Sequence, residues 1–268
     1  MGGQPGAGKS SLVKIIRQNL ERNVLVINGD EFRRYHPDFE EIQEKYGKDA
    51  PKYTAEFSAK MTGLVIEKAL KESYNISVEG TFRTAETPMK TLDDMRRHGY
   101  ETAVYIQTAP SEVSWQNTLE RYEQMKAVGE APRYTDKAHH DLVVETLPKN
   151  ADIVFSSGKA DHFVVYSQEG LIFDDRIHHG EMPSGVIEKE LHRLTNSPEY
   201  QELVKLEKTY QDNRHLLSPF QKQVEEGSLK AIASAPPEIQ IQAKTHLYNS
   251  LLNEIQQRAA IDEPEIER

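Results

Sequence analysis

Gly3-Gln4-Pro5-Gly6-Ala7-Gly8-Lys9-Ser10 completes the pattern G-x-x-x-x-G-K-[ST], the segment that most tightly limits what this chain can fold into. Glycines at these positions let successive backbone N–H groups curl around a polyphosphate. Lys9 then reaches the β/γ-phosphates, and the Ser10 hydroxyl is placed to ligate Mg²⁺. A helix must follow, because its positive end faces the bound anion. Ser11-Leu12-Val13-Lys14-Ile15-Ile16 supplies apolar residues at helical spacing. Residues 3–11 therefore read as a nucleotide-binding loop running into a helix.

Such a loop normally follows a central parallel strand, yet here it starts at residue 3. Either an upstream strand is missing or another segment takes its place. A sheet without its middle strand leaves backbone groups unpaired, so this chain is expected to be less stable than a longer one.

Downstream, short apolar runs at Val24–Asn28, Ile76–Glu79, Thr102–Ile106 and Asp152–Phe155 read as strands buried on both faces. Between them lie helical stretches at about Ser10–Arg22, Thr54–Ser73, Glu86–His98, Ser111–Met125 and Asp136–Leu147. This alternation predicts an α/β fold, a parallel sheet flanked by helices with ligands at the carboxyl ends of its strands. Phe163–Tyr166 and Leu171–Phe173, separated by Gln168-Glu169-Gly170, read as an accessory hairpin. Beyond it apolar residues recur at helical spacing, with Ser197-Pro198 as a helix entry. The expected organisation is a catalytic domain over 1–178 and a helical C-terminal extension over 179–268.

Composition narrows the function. A net charge of −10 argues against sequence-independent nucleic-acid binding, which needs cations to neutralise phosphates. The absence of cysteine removes disulfides and thiolate metal sites, and no apolar run approaches the ~18 residues of a membrane span. A cytoplasmic protein is expected.

The loop alone does not separate a kinase from a GTPase or an ATPase; the carboxyl ends of the next strands do. Asp30, in Asn28-Gly29-Asp30-Glu31-Phe32-Arg33, stands where a strand delivers its loop residue. Kinase chemistry needs a carboxylate there to orient and deprotonate an attacking hydroxyl; a helix-capping aspartate would look the same from sequence. In Glu79-Gly80-Thr81-Phe82-Arg83, Glu79 could complete a Mg²⁺ shell or bind a substrate hydroxyl. Thr81 offers a hydroxyl and Arg83 a planar fork for a phosphate; Arg33 is a weaker substrate-binding candidate, since neighbouring charges usually face water. Arg121, late in its helix, and Arg133, just past Gly129-Glu130-Ala131-Pro132, have the pattern of a lid that stabilises the transferred phosphoryl. His139-His140 and His178-His179 lack metal-site spacing and read as surface residues. Trp115, Tyr122 and Tyr134 read as core or rim packing.

These segments together resemble the zeta toxins of bacterial toxin–antitoxin systems. The matching stretches are Gly3–Ser10, Asn28–Arg33, His36–Phe39, Glu79–Arg83, Gly99–Thr102, Glu120–Glu123 and His139–Leu147, in order from residue 3 to about residue 175. The resemblance implies a P-loop kinase-like fold that uses ATP, with GTP possible, and Mg²⁺ to phosphorylate UDP-N-acetylglucosamine at the 3′-hydroxyl of its amino sugar. That product disables peptidoglycan synthesis. By the same resemblance Asp30 is the base, Lys9 the phosphate-binding lysine, Ser10 and Glu79 lie at the metal, and Glu79 with Thr81 lies by the sugar. Arg121 and Arg133 are the lid arginines, and a small helical antitoxin is the protein partner. Gly63 stands where the family carries an acidic residue, which opens substrate choice to other UDP-amino sugars. Two other readings remain: a kinase of another small-molecule hydroxyl, such as a nucleoside or antibiotic, and a nucleotide-gated binding module.

Overall fold

The computed structural model describes residues 1–128 and 132–262. In chain order its elements are α1 (Ser10–Asn19), β1 (Leu25–Ile27), α2 (Gly29–Phe32), α3 (Phe39–Tyr46), α4 (Ala50–Tyr53), α5 (Ala55–Lys71), β2 (Ile76–Val78), α6 (Glu86–Arg97), β3 (Ala103–Gln107), α7 (Ser111–Ala127), α8 (Lys137–Ser156), β4 (His162–Ser167), β5 (Gly170–Asp174), α9 (Pro183–Leu191), α10 (Pro198–Asn213), α11 (Pro219–Ile232) and α12 (Pro237–Asp262). Single 3₁₀ turns at Arg33–Tyr35, Gly47–Asp49 and Arg214–Leu216 link neighbouring helices. The chain divides into two compact units, Met1–Leu191 and His192–Arg268.

The first unit is the expected α/β fold of parallel strands flanked by helices. β1 pairs parallel with β2, Val26 opposite Ser77. β3 pairs parallel with β4, and β4 antiparallel with β5, Val165 facing both Ile106 and Phe173 across the ladders. The predicted hairpin is thus β4–β5. Val104, Ile106, Phe163, Val165 and Phe173 carry the core against α6, α8 and α9. The burial of Ile187 and Leu191 in this core takes α9 into the first unit, so the division falls after Leu191 rather than at the expected boundary of 178.

Asp152–Phe155, expected as a strand, is instead the last turn of α8. Val143, Leu147, Ala151 and Val154 are all fully buried, and their spacing of three and four residues is helical. Pro148, just past the expected helix end at Leu147, lies inside α8.

Two residues join the two sheets. The Met1 amino group donates to Val78 O at 2.8 Å and Gly80 N to Met1 O at 3.0 Å. Gly2 N donates to Tyr105 O at 2.7 Å and Gln107 N to Gly2 O at 2.9 Å. Met1 and Gly2 therefore bridge β2 and β3, Gly2 pairing parallel with Ile106. Below them, among the described residues, the facing edges of β2 and β3 meet no further strand. A cavity of about 2890 Å³ is lined by Ile76, Ala103 and Tyr105 in this gap and by Ser10, Asp30 and Glu79 at the strands' carboxyl ends. Met1 and Gly2 thus close one end of this gap.

The second unit is helical. Ser197 and Ser218 cap α10 and α11 as their sequences imply, the latter with a reciprocal Gln221 bond. Tyr210 and Tyr248 stack at 4.5 Å in its core, beside Leu203 and Leu251. Arg214 Nε donates to both carboxylate oxygens of buried Glu225, at 2.8 and 3.0 Å. Among the described residues no helix is long and apolar enough to cross a membrane.

Candidate active site

The loop is seated by backbone contact. Gly6 has φ +78°, and a Cβ there would lie 1.8 Å from Ser114 O, so no side chain fits between loop and α7. Gln4 and Ala7 are fully buried, and Gln4 Nε2 donates to Ala109 O at 2.6 Å. Their side chains anchor the loop, so at positions 4 and 7 only backbone is left to meet a ligand. Gly8, Ser10 and Ser11 are exposed at the rim, and α1 begins at Ser10 with no side-chain cap. That leaves the positive end of the helix to the cavity.

Lys9 folds back on its own loop. Its Nζ donates to Gly3 O at 3.0 Å and Gln4 O at 3.2 Å, with Glu79 Oε1 at 3.9 Å. Burial pushes its pKa down and Arg121 adds to this, against the carboxylates of Glu79 and Asp30. Arg121 arrives from α7, donating through NH2 to Thr135 Oγ1 at 3.4 Å. Its Nε is buried with no hydrogen-bond partner among the described residues. Burial first, then Arg133, lowers its pKa as well. Two desolvated cations at one cavity wall, one with an orphaned donor, are what an anion site requires.

On the acceptor side, Asn28 caps α2, its Oδ1 accepting from Asp30 N at 3.0 Å. Ser58 Oγ, from α5, donates to Gly29 O at 2.6 Å and ties α2 down. Asp30 thus both sits in a capped turn and projects its carboxylate into the cavity that Lys9 lines. Burial pushes the Asp30 carboxyl up. The hydrogen bond and charge of Arg33, with Arg133 and Arg121, outweigh that and hold it below the ordinary aspartate value. Arg133 NH1 stands 3.4 Å from Glu31 Oε1 and 3.8 Å from Asp30 Oδ2. The Gly129-Glu130-Ala131 link expected in the lid lies outside the described residues.

Glu79, Thr81 and Arg83 also line the cavity. They are presented by a turn in which Phe82 takes φ +58° and Asn150 Nδ2 donates to the carbonyls of Phe82 and Arg83 at 2.9 and 2.7 Å. Arg33 lines the cavity too, but its guanidinium is turned toward Asp30 and the α4 segment. Tyr134 borders the cavity with Lys48 Nζ 4.9 Å over its ring, and Tyr122 packs edge-on against it.

His140 is a correction. It was expected at the surface, yet it is 1% exposed, its Nε2 2.9 Å from Ser114 Oγ and its ring edge-on to Trp115. The adjacent His139 does face the cavity, as two neighbours on a helix must diverge. Sequence reading also missed Asn117, whose Nδ2 donates to Gly6 O at 2.9 Å. The signal was its place one turn before Arg121, on the same face of α7.

A glycine-rich loop feeding a helix on a parallel sheet, with lysine, arginines and a carboxylate around one cavity, defines a P-loop phosphate-binding α/β protein. The Zeta toxin family profile matches residues 1–178, and the chain belongs to the Zeta toxin family. It is 34% identical over 229 residues to Toxin zeta of Streptococcus pyogenes, spanning 84% of this chain and 80% of that protein. It is 38% identical over 151 residues to Toxin PezT of Streptococcus pneumoniae serotype 4, spanning 56% of this chain and 60% of that protein. A solved structure from the PezAT chromosomal toxin–antitoxin system of the human pathogen Streptococcus pneumoniae superposes with a TM-score of 0.64 at 27% identity, covering 78% of this chain and 81% of that one.

Proposed function

We propose that the chain is a toxin kinase that transfers the γ-phosphoryl of ATP to the 3′-hydroxyl of the amino sugar of UDP-N-acetylglucosamine, stopping peptidoglycan synthesis in the cytoplasm. The observation that carries the reaction class is the placement of Lys9, Arg121, Arg133 and Asp30 around one cavity, cations for the phosphates and an ionised carboxylate for the hydroxyl. The sugar rests on the family resemblance. GTP in place of ATP fits the same loop, whose contacts are with phosphates.

In this reading Lys9 exchanges its bonds to Gly3 O and Gln4 O for the β/γ-phosphates. The orphaned Arg121 Nε gains an anionic acceptor. Asp30 accepts the acceptor hydroxyl's proton while that oxygen bonds to the γ-phosphorus and ADP leaves. Ser10 and Glu79 are hard oxygen donors on the cavity wall, the donor chemistry Mg²⁺ takes, and would hold it with the phosphates. The ion would neutralise phosphate charge. The matching PezAT system supports an antitoxin as the protein partner; that it would block the nucleotide site rests on the family resemblance.

Incubation with ATP, Mg²⁺ and a panel of UDP-sugars, with product mass and NMR assignment of the phosphorylated position, tests this directly. A 3′-phosphorylated UDP-N-acetylglucosamine is expected. ATP binding with no phosphorylated sugar from any panel member would refute it.

A further inference from the structure

Arg33 was expected at the substrate, but its geometry gives it different work. Its Nε donates to Asp30 Oδ1 at 2.8 Å. Its NH1 donates to Pro51 O at 2.6 Å and to Thr54 Oγ1 at 3.0 Å. Guanidinium recognises phosphate best through two parallel N–H groups on one edge. One such edge contains Nε and the other contains NH1, so each already has a member committed. Thr54, 1% exposed, is itself fixed, its hydroxyl 3.4 Å from Ala50 O. The arginine is therefore anchored at one end by the α4 segment and closes on Asp30 at the other.

The two Asp30 oxygens are consequently inequivalent. Oδ1 is held by Arg33 at 2.8 Å, while Arg133 NH1 stays 3.8 Å from Oδ2, beyond hydrogen-bond reach. We propose that Arg33 is a positioning residue acting through Asp30: it pins Oδ1 and so turns Oδ2 toward the acceptor hydroxyl. The proposal rests on the reading of Asp30 as the base. In the transfer step Oδ2 takes the hydroxyl proton, the acceptor oxygen bonds to the γ-phosphorus, and the bond to the β–γ bridging oxygen breaks. The proton then passes from Asp30 to solvent. Reacting groups must be aligned to within fractions of an ångström for this step, which a freely rotating carboxylate does not provide.

The charged groups facing Asp30 are Arg33, Arg121, Arg133, Lys9 and His139, with Glu31 beside it. Arg33 makes the largest favourable contribution to the ionised carboxylate. Removing it raises the Asp30 pKa, so the acid limb of kcat moves to higher pH.

The test compares Arg33→Met, Arg33→Lys, Asp30→Asn and the Asp30→Asn/Arg33→Met double variant in the full chain. Arg33→Met should lower kcat about 100-fold, the scale of a 1 Å misplacement, with the KM for ATP nearly unchanged. The ¹³C NMR titration of the Asp30 carboxyl should shift upward. In the Asp30→Asn background the same substitution should add no further loss, because the residue through which it acts is gone. Arg33→Lys should hold the titration near its original position and recover part of kcat; it carries the test if circular dichroism shows Arg33→Met unfolded. An unmoved titration, a change confined to the acceptor KM, or losses that multiply in the double variant would each overturn the proposal. If the titration moves but Asp30→Asn turns over like the wild type, the reading of Asp30 as base has failed while the pin itself is real.

Discussion

The loop at residues 3–10 and the turn at residues 28–33 hold their functional groups by opposite means. The loop is built from backbone: buried Gln4 and Ala7 seat it, and Gly6 lies directly against the Ser114 carbonyl. The turn is built from side chains: an exposed carboxylate oriented by Arg33, which reaches Pro51 and Thr54 some twenty positions along the chain. A backbone-built site tolerates little change in shape. A side-chain-built site keeps its shape under substitution and loses chemistry instead.

The largest test crosses the two. Asp30→Asn preserves shape and a hydrogen-bond acceptor for Arg33 but removes the base, so phosphoryl transfer should fall by about 10²–10⁴-fold. ATP affinity, read by calorimetry, should stay nearly constant. Lys9→Ala should weaken binding and transfer together, because Lys9 belongs to the loop. An Asp30→Asn variant keeping more than a few per cent of wild-type turnover would erase the distinction.

Glycines give the next contrast. A Cβ at Gly6 would meet Ser114 O at 1.8 Å with φ at +78°, whereas one at Gly63, on α5 and also lining the cavity, would meet nothing within 4 Å. Gly6→Ala should cost on the order of 3 kcal/mol by denaturant titration and abolish nucleotide binding. Gly63→Ala should gain about 1 kcal/mol, the ordinary preference of a helix interior for alanine. A destabilising Gly63→Ala would show that its open neighbourhood is filled in solution.

Among the described residues, the facing edges of β2 and β3 are met by Met1 and Gly2 at one end only. Joining an extended apolar segment of five residues ahead of Met1 should add paired backbone groups along both edges. Stability should rise on the order of 2 kcal/mol, given about 1 kcal/mol per net hydrogen bond less the ordering cost. A denaturant midpoint that does not move would mean the edges are satisfied without a strand.

Much of the loop wall was legible because its motif prescribes backbone conformation residue by residue. The apolar runs of β1, β2, β3 and the β4–β5 hairpin were legible as strands from their apolar continuity. The burial on both faces expected of such runs is incomplete, however: Leu25, Ala103 and Leu171 are exposed. The same rule misread Asp152–Phe155, where a buried helix end carries an equally apolar run and only the Val143–Val154 spacing separates the two. The acceptor wall was legible in residue type but not in role. Asp30 and Arg33 were singled out together, yet nothing in their spacing shows that Pro51 and Thr54 fold back to claim the guanidinium. His140 was misread because its burial depends on Ser114, on another helix.

The smallest effect is in pH. In the folded chain the Asp30 carboxyl lies below 3.8, its ordinary value, chiefly because the hydrogen bond and charge of Arg33 outweigh burial. A carboxyl whose folded pKa is depressed stabilises the fold fully above its unfolded value and loses that contribution as pH falls through the folded one. The window therefore opens at 3.8 and extends downward. With the side chain 47% exposed, solvent screening keeps the contribution below about 1 kcal/mol. Denaturant midpoints of wild type and Asp30→Asn, followed from neutral pH downward, should converge only once 3.8 is passed. Convergence at a higher pH would mean that Arg33 does not hold Asp30 in solution, and the acceptor wall would then be unbuilt until substrate arrives.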